Sequence, residues 1–486
     1  MVTQPDDLYP EITDPMSRRK TDVFGRLLIQ FISIYWKSLV IILWPLILLP
    51  IIIVETTKVV AMRCLYVVGL MAMFWVTEVL PLPITGLIPV VLYPLMGIMN
   101  TSDTCACYMN DTTMMFIGSM VIAIVIENSG LHMRIALLII KMIGCSHRRL
   151  TLGLFCVTMF LSMWISNTAA TTMMLPIVET VLLELEAQGL GNMFVSEEND
   201  CAEEDTEPMK KPTHITMVYY LVTAYASSIG GIGTLVGTGT NLTLKGFYER
   251  RFPNSSGISL TSWMLYSVPP MLLMGFLTWV WLQVLYMGMF RSKSKDAQAI
   301  NIGTQGEKVA ASVIEKKYKE LEVPDSYGVG QLTLLVFLGG GFAISAGSIS
   351  SNLSSILGNA LTALQSINPL AILFIVCVFA ETVTELTSNV AVANIILPVL
   401  AEMCVALRIH PLYLMLPASL CCSFSFHLPV GTPPNAIATA AGHIKTRDFA
   451  IAGIGPSVIT LLITIIAFST WGTYIFSLSE FPDWAT

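Results

Sequence analysis

Charge is what this sequence is short of. Only 12% of its 486 residues are Asp, Glu, Lys or Arg, against about 25% in a soluble domain, so roughly half the usual solvating groups are missing. That shortage excludes an ordinary water-soluble globule. With 26 basic against 33 acidic side chains there is no excess of positive charge for nucleic acid to bind. Much of the net charge of −7 sits in polar segments such as "SEENDCAEEDTEPMKK" at Ser196–Lys211. Catalytic signatures are absent as well: no Gly-x-Ser-x-Gly elbow and no P-loop lysine appears. The six histidines are dispersed with no pair at ligand spacing, so no metalloenzyme centre is expected. The ten cysteines lie mostly inside apolar runs and read as small buried hydrophobes; only Cys105 and Cys107, in a loop, leave a disulfide open. The chain therefore reads as a non-enzyme without an organic cofactor. The first apolar run opens only at Ser38, behind a basic tail, and contains Pro45 and Pro50, which does not suit a cleaved leader.

Long apolar runs are what the chain has instead: 54% of residues are hydrophobic and the mean hydropathy is +0.70. A bilayer core about 30 Å thick takes roughly 20 apolar residues as a helix. "LVIILWPLILLPIIIV" at Leu39–Val54 begins a series of such runs, so the expected fold class is an all-α polytopic membrane protein. Spans are expected near Ser38–Val54, Cys64–Val79, Leu82–Met99, Met114–Ile143, Ile215–Gly246, Trp263–Phe290, Gln331–Ala363, Leu412–Gly442 and Ile451–Phe476.

Two further apolar regions carry nearly the same message, "WISNTAATTMMLP" at Trp164–Pro176 and "LTSNVAVANIILP" at Leu386–Pro398. Three blocks recur in one order. "FIGSMVIAIVIENSGL" is echoed by "FLGGGFAISAGSISSNL", "SNTA" at Ser166 by "SNVA" at Ser388, and "GTGTNL" at Gly237 by "GTPPNA" at Gly431. If each Ser-Asn region is a re-entrant hairpin and the N-terminus is cytoplasmic, the basic clusters (Arg18–Lys20, "SHRRL", and Lys293–Lys319) all fall inside. The sequons at Asn100, Asn110 and Asn254 then all fall outside as glycosylation candidates, and the C-terminus is extracellular. The second copy starts on the opposite side from the first, which is the inverted-repeat plan of secondary transporters. The expected organisation is a tail at 1–37, then a first span plus first repeat at 38–290. That repeat contains a hairpin at about 150–185 and an acidic loop at 187–213. A cytoplasmic linker at 291–327 leads to a shortened second repeat at 328–486 with its hairpin at about 370–407.

A broken helix is tolerated in a bilayer only where it is buried or lines a cavity. Freed N–H groups at a half-helix start accept an anion, while freed carbonyls and hydroxyls suit a hard cation such as Na⁺. An Asn carboxamide offers both an oxygen and an N–H. One Ser-Asn pair could be a mere interhelical hydrogen bond; two, each followed by a Gly-Thr-x-x-Asn break, point to a site.

The motifs "MWISNTAATTMMLPI", "AYASSIGGIGTLVGTGTNL", "TELTSNVAVANIILPVLAEM" and "LPVGTPPNAIA" resemble those of the divalent anion:sodium symporters, specifically the INDY-like citrate and dicarboxylate branch. The resemblance covers most of residues 38–478. It implies one sodium site at Ser162, Ser166, Asn167, Gly237 and Asn241, and a second at Thr384, Ser388, Asn389, Gly431 and Asn435. It implies a small carboxylate anion touching Asn167, Thr168, Asn389, Val390 and Pro433, with Val390 standing where some members carry Thr. It also implies an elevator motion, a homodimer and a plasma-membrane location among lipids. No Arg lies close to either motif, which suits an anion held by dipoles, amides and bound cations.

One stretch departs from the pattern. Where the second copy should begin with two spans, the chain reads "SKSKDAQAINIGTQGEKVAASVIEKKYKELEV", which cannot cross a bilayer. Two scaffold helices look excised, and their loss preserves parity downstream. Two functions stay open: a Na⁺-coupled carrier of succinate or citrate, and a transport-incompetent isoform that pairs with a full-length partner. Sodium-independent exchange and sulfate transport are variants of the first. Of the intramembrane acids Glu127, Glu179, Glu184, Glu381 and Glu385, each a functional candidate by default, Glu385 is the one expected to support the second tip.

Overall fold

Proline and glycine decide where the helices of this chain stop. The computed structural model describes residues 15–54, 58–109, 146–187, 194–196, 210–289, 332–353, 367–478 and 480–485, with scattered positions between 113 and 138 and residue 356. The first helix, α1 (Pro15–Val54), is continuous through 40 residues despite Pro45 and Pro50, so helix extends back into the expected tail. It packs on α2 (Val59–Thr77) through Trp44 and Leu48 against Leu70 and Phe74, with the Trp44 indole N–H donating to the Gly69 carbonyl at 3.2 Å.

The expected single span at Leu82–Met99 is not one helix. It forms α3 (Leu82–Gly86) and α4 (Ile88–Leu95), each with proline in its first turn, followed by α5 (Thr101–Ala106). Proline lacks the N–H that would bond back to the previous turn, so Pro89 closes α3 and opens α4. Together α3 and α4 are among the helices too short to cross a bilayer. After residue 145 come α6 (His147–Ser162) and α7 (Asn167–Ala187). A two-stranded antiparallel pair follows, β1 (Phe194–Ser196) with β2 (Lys210–Pro212), in the register Phe194 to Pro212. The pair closes the base of the acidic insert, whose residues 197–209 lie outside the described residues.

The helices α8 (His214–Gly230), α9 (Gly239–Arg251) and α10 (Leu260–Tyr286) complete the first copy. The linker expected at 291–327 lies outside the described residues. Beyond it run α11 (Leu332–Ser350), α12 (Pro369–Thr384), α13 (Asn389–Leu407), α14 (Leu412–Cys421), α15 (Pro433–Ala441) and α16 (Thr446–Ala467). Six described helices are long and apolar enough to cross a membrane.

Two apolar clusters organise the bundle. The larger joins α6–α10 and α12–α16. At its centre α8 is buried from Ile215 to Gly230, and the Tyr225 hydroxyl satisfies itself on the carbonyls of Phe426 at 3.1 Å and Phe449 at 3.3 Å. The smaller joins α2, α4, α11 and the residues flanking α5 (Ile98 and Cys107), and also takes in Leu242 of α9 with Val390 and Ala391 of α13. Glycine permits its closest crossing: a Cβ on Gly340 of α11 would fall 2.5 Å from Gly86 Cα. Small residues at such contacts let helix backbones approach where lipid offers no hydrophobic drive.

The last turn of α9 faces both clusters. Arg251 grips Glu402 of α13 with Nε at 2.8 Å and Nη2 at 3.3 Å. Its neighbour Arg250 lies 4.7 Å over the Phe342 ring of α11 and donates to the Cys107 carbonyl at 3.3 Å. Removing one partner of a buried ion pair costs about 3–5 kcal/mol because the other charge is left uncompensated. Glu402→Ala should therefore lower the melting temperature of the purified protein by several degrees, with Arg251→Ala/Glu402→Ala losing less than the two single losses combined. A Glu402→Ala melting curve that overlays the wild type would mean the pair does not hold α9 to α13.

Candidate functional site

Each Ser-Asn motif sits at the turn of a helix–turn–helix. The first turn, 163–166, joins α6 to α7; the second, 385–388, joins α12 to α13. The entering helices have 16 residues each, about 24 Å at roughly 1.5 Å per residue, which is shorter than a hydrocarbon core of about 30 Å. Both turns are tied by the same hydrogen bonds. The Ser162 hydroxyl lies 2.9 Å from Asn167 Oδ1 and 2.6 Å from the Ser227 carbonyl. The Thr384 hydroxyl lies 2.8 Å from Asn389 Oδ1 and 2.7 Å from the Cys422 carbonyl. In both copies the Asn stands 5 residues after the hydroxyl.

The broken helices match as closely. Asn241 Nδ2 donates to the carbonyls of Gly231 at 3.0 Å and Thr234 at 2.8 Å. Asn435 Nδ2 donates to those of Ser425 at 2.9 Å and Leu428 at 3.2 Å. The separations are 10 and 7 residues in both copies. Each Asn therefore spends its amide on the unwound segment before it, while Asn241 Oδ1 and Asn435 Oδ1 are buried without a donor. A buried acceptor of this kind costs free energy unless something positive meets it. Around Gly237 the carbonyls of Gly231, Ser162 and Met163 converge, and a Cβ there would fall 2.5, 2.9 and 3.0 Å from them. In the second copy a Cβ on Gly431 would meet the Ser425 hydroxyl and the Glu385 carbonyl. Carbonyl, hydroxyl and carboxamide oxygens are hard ligands of the type that Na⁺ takes.

The two copies brace each other crosswise: α7 packs on α15, and α9 on α13. Three half-helices begin with good capping residues, Thr238, Ser388 and Thr432, yet none of these side chains makes a cap hydrogen bond. The orphan N–H groups of those first turns stay available to an anion, although Pro433 and Pro434 remove two of them from α15. Ser166 differs, its hydroxyl accepting from Ala169 N at 3.3 Å.

The residues expected to meet sodium and the anion lie at the two turns and the two breaks. Asn167, Thr168, Ser166, Ser388 and Asn389 are half-buried and Pro433 is exposed. Val390 is buried in the smaller apolar cluster, so it offers its backbone rather than its side chain. Sequence reasoning missed the carbonyls of Ser227, Cys422, Gly231 and Ser425, and the Thr171 hydroxyl, which lies 2.9 Å from Ser227 Oγ. It also missed Thr234, whose hydroxyl donates to the Met163 carbonyl.

Glu385 does support the second tip, and the form of that support comes from the structure. Its carboxylate accepts from the N–H groups of Phe426 at 2.7 Å, His427 at 3.0 Å and Leu428 at 3.1 Å. It also accepts from the Ser425 hydroxyl at 2.9 Å and lies 3.0 Å from His427 Nδ1. Of the other acids, Glu179 is exposed, while Glu127 lies outside the described residues. Among the sequons, Asn100 is exposed but its side chain caps α5, accepting from Asp103 N at 2.8 Å. Asn254 is exposed in a turn, and Asn110 lies outside the described residues. Cys105 is exposed and outside any disulfide, while the Cys107 thiol donates to the Asp103 carbonyl at 3.3 Å.

A multi-pass helical bundle with interrupted helices and duplicated oxygen cages is the architecture of a membrane transporter. The chain matches the model of the sodium:sulfate symporter transmembrane region over residues 33–321 and 330–478; it belongs to that family, the divalent anion:sodium symporters. It is 40% identical to "Protein I'm not dead yet" of Drosophila melanogaster, across 94% of this chain and 92% of that protein. It is 33% identical to the Na⁺/citrate cotransporter of Rattus norvegicus, across 93% and 97%. It is likewise 33% identical to Na⁺/dicarboxylate cotransporter 3 of Mus musculus, across 92% and 94%. The fly alignment runs over 547 residues, more than the 486 this chain has, so that relative carries positions missing here. The family match itself is interrupted between residues 321 and 330.

Gly237→Ala tests the first cage, because the methyl group must displace the carbonyls that form it. The wild type should melt at a higher temperature with Na⁺ than with choline, and Gly237→Ala should need about tenfold more Na⁺ for the same rise, a loss of about 1.4 kcal/mol. Gly69→Ala serves as control, since its Cβ meets only Leu48 at ordinary contact distance, 3.5 Å. Undiminished Na⁺ stabilisation in Gly237→Ala would rule the cage out.

Proposed function

We propose that this chain is a sodium-coupled carrier of di- and tricarboxylates such as succinate and citrate. The observation that carries the reading is the duplicated bonding set, a hydroxyl, an Asn five residues on, and a second Asn with its oxygen buried and unpaired. The first Na⁺ takes oxygens from Ser162, Ser166, Asn167, Gly237 and Asn241. The second takes them from Thr384, Ser388, Asn389, Gly431 and Asn435. Two bound cations make up for the missing arginine, so the carboxylates rest on Asn167, Thr168, Asn389, the Val390 backbone and Pro433, with the uncapped half-helix starts adding partial positive charge. Cation and anion sites share Asn167 and Asn389. Filling one therefore raises affinity for the other, which is the linkage that symport requires. The names of the rat and mouse relatives support the choice of carboxylate over sulfate.

In this reading the two turns are re-entrant, the N-terminus is cytoplasmic, the C-terminus faces outward, and the carrier works at the plasma membrane. The larger cluster rides as an elevator against the smaller, and Asn254, exposed in a turn, is the sequon offered for a glycan. A second reading has its own support: the relatives are longer, and the family match is interrupted where two scaffold helices are expected. A chain short of scaffold would bind its ions yet fail to move them, and would act by pairing with a full-length copy in the dimer.

Labelled succinate and citrate uptake, with Na⁺ and with choline, in cells whose surface expression of the chain is verified, separates the two. Sodium-dependent uptake that falls to background in Asn167→Ala/Asn389→Ala is the expected result. Surface protein with no flux, but with Na⁺-dependent thermal stabilisation, favours the regulatory reading. Uptake indifferent to Na⁺ makes the chain an exchanger.

A further inference from the structure

The two copies agree in hydrogen bonding but differ in one chemical respect. Ser162 and Thr384 are equivalent by the bonds they make, so the residues one position later, Met163 and Glu385, correspond, as do those three positions earlier, Met159 and Glu381. The first copy has two methionines where the second has two acids. Glu385 is fully engaged with the backbone of the break. Glu381 is not: it is 7% exposed, and neither carboxyl oxygen has a hydrogen-bond partner. No ion pair reaches it among the described residues. Such a group is stable inside a membrane protein as the neutral acid rather than the carboxylate.

A route leads from it to the surface. The Ser457 hydroxyl of α16 faces the Glu381 carboxyl without meeting hydrogen-bond geometry. Ser457 Oγ is in turn 3.3 Å from His427 Nδ1, and the His427 side chain is 36% exposed. The other titratable groups facing Glu381 are Glu385, Cys377 one turn back on α12, and Cys421 of α14. None of these brings a permanent positive charge to fix Glu381 as an anion. An acid, a hydroxyl and a partly exposed imidazole in series are the parts of a proton path.

We propose that Glu381 is a proton-binding site of the second hairpin, loaded through Ser457 and His427, and that its proton moves with the hairpin during transport. The transport half rests on the carrier reading above; the protonation half does not. Loading takes a proton from water at His427 and leaves a neutral carboxyl in the core; unloading returns it to water when the path opens on the other side.

Infrared difference spectra of the purified protein between mildly acidic and alkaline buffer read the protonation half directly. The expected result is a protonated-carboxyl carbonyl band that disappears in Glu381→Gln. Glu381→Met, which restores the residue of the first copy, should lose it as well and guards against a folding defect of the glutamine variant. The band should persist in Ser457→Ala, with slower hydrogen–deuterium exchange. Folded wild-type protein with no such band, or a band unchanged in both Glu381 variants, overturns the proposal. Citrate uptake against external pH at saturating Na⁺ reads the transport half. A wild-type pH dependence that is lost in Glu381→Gln supports it, and one retained in Glu381→Gln overturns it. A wild type without any flux sinks the carrier reading while the infrared result still decides the proton site.

Discussion

A helix interrupted inside a bilayer leaves backbone groups that only the protein, or what it binds, can satisfy. In this chain that obligation falls on one hydroxyl per copy. Ser162 and Thr384 each hold the turn of a hairpin to a carbonyl of the next helix while facing the Asn across the turn. Without that tie the turn at 163–166 would lose its fixed position against the unwound segment 231–238, and the carbonyls around Gly237 would not converge. The crosswise packing of α7 on α15 and of α9 on α13 then fixes each break against the hairpin of the other copy. The oxygen cages are in this sense a product of where the backbone cannot pair with itself.

Much of this could be read from residue order. Ser-Asn inside an apolar run is conspicuous because polar groups there are costly, and its recurrence with the Gly-Thr-x-x-Asn break exposed the duplication. The acceptors were invisible for a simple reason: Ser227, Cys422, Gly231 and Ser425 contribute carbonyls, which every residue possesses. The stretches that supply them, "AYASSIGGIG" and "SLCCSFSFHL", share little beyond small size. The span expected at Leu82–Met99 failed because hydropathy averages over residues and does not register that Pro83 and Pro89 each restart a helix. The helix running from Pro15 escaped notice because its polar first turns lack the apolar signal that marks a span.

The copies also show how similar geometry can be reached by different chemistry. In the first, Thr234 joins break to tip through the Met163 carbonyl; in the second, Leu428 offers no hydroxyl and the Glu385 carboxylate collects three successive N–H groups instead. A carboxylate held by that many donors has little reason to leave them, so the second tip is the more firmly fastened of the two. Thr387 adds a bond from the same turn to the Trp75 carbonyl at 3.1 Å, which anchors it to α2. The first tip has no acid at the corresponding position, where Met163 stands.

Arg250 and Arg251 occupy consecutive positions and face different clusters, one to Phe342 and Cys107, the other to Glu402. Successive residues on a helix point about 100° apart, so a single peptide unit sits between the two grips. Any slide of one cluster past the other has to be taken up as torque on that unit, or by one grip letting go. The guanidinium over an aromatic face, which slides at little cost, is the natural slip clutch, and the bidentate pair is the fixed coupling. The end of α9 is thus held by two grips of different give on either side of one peptide unit.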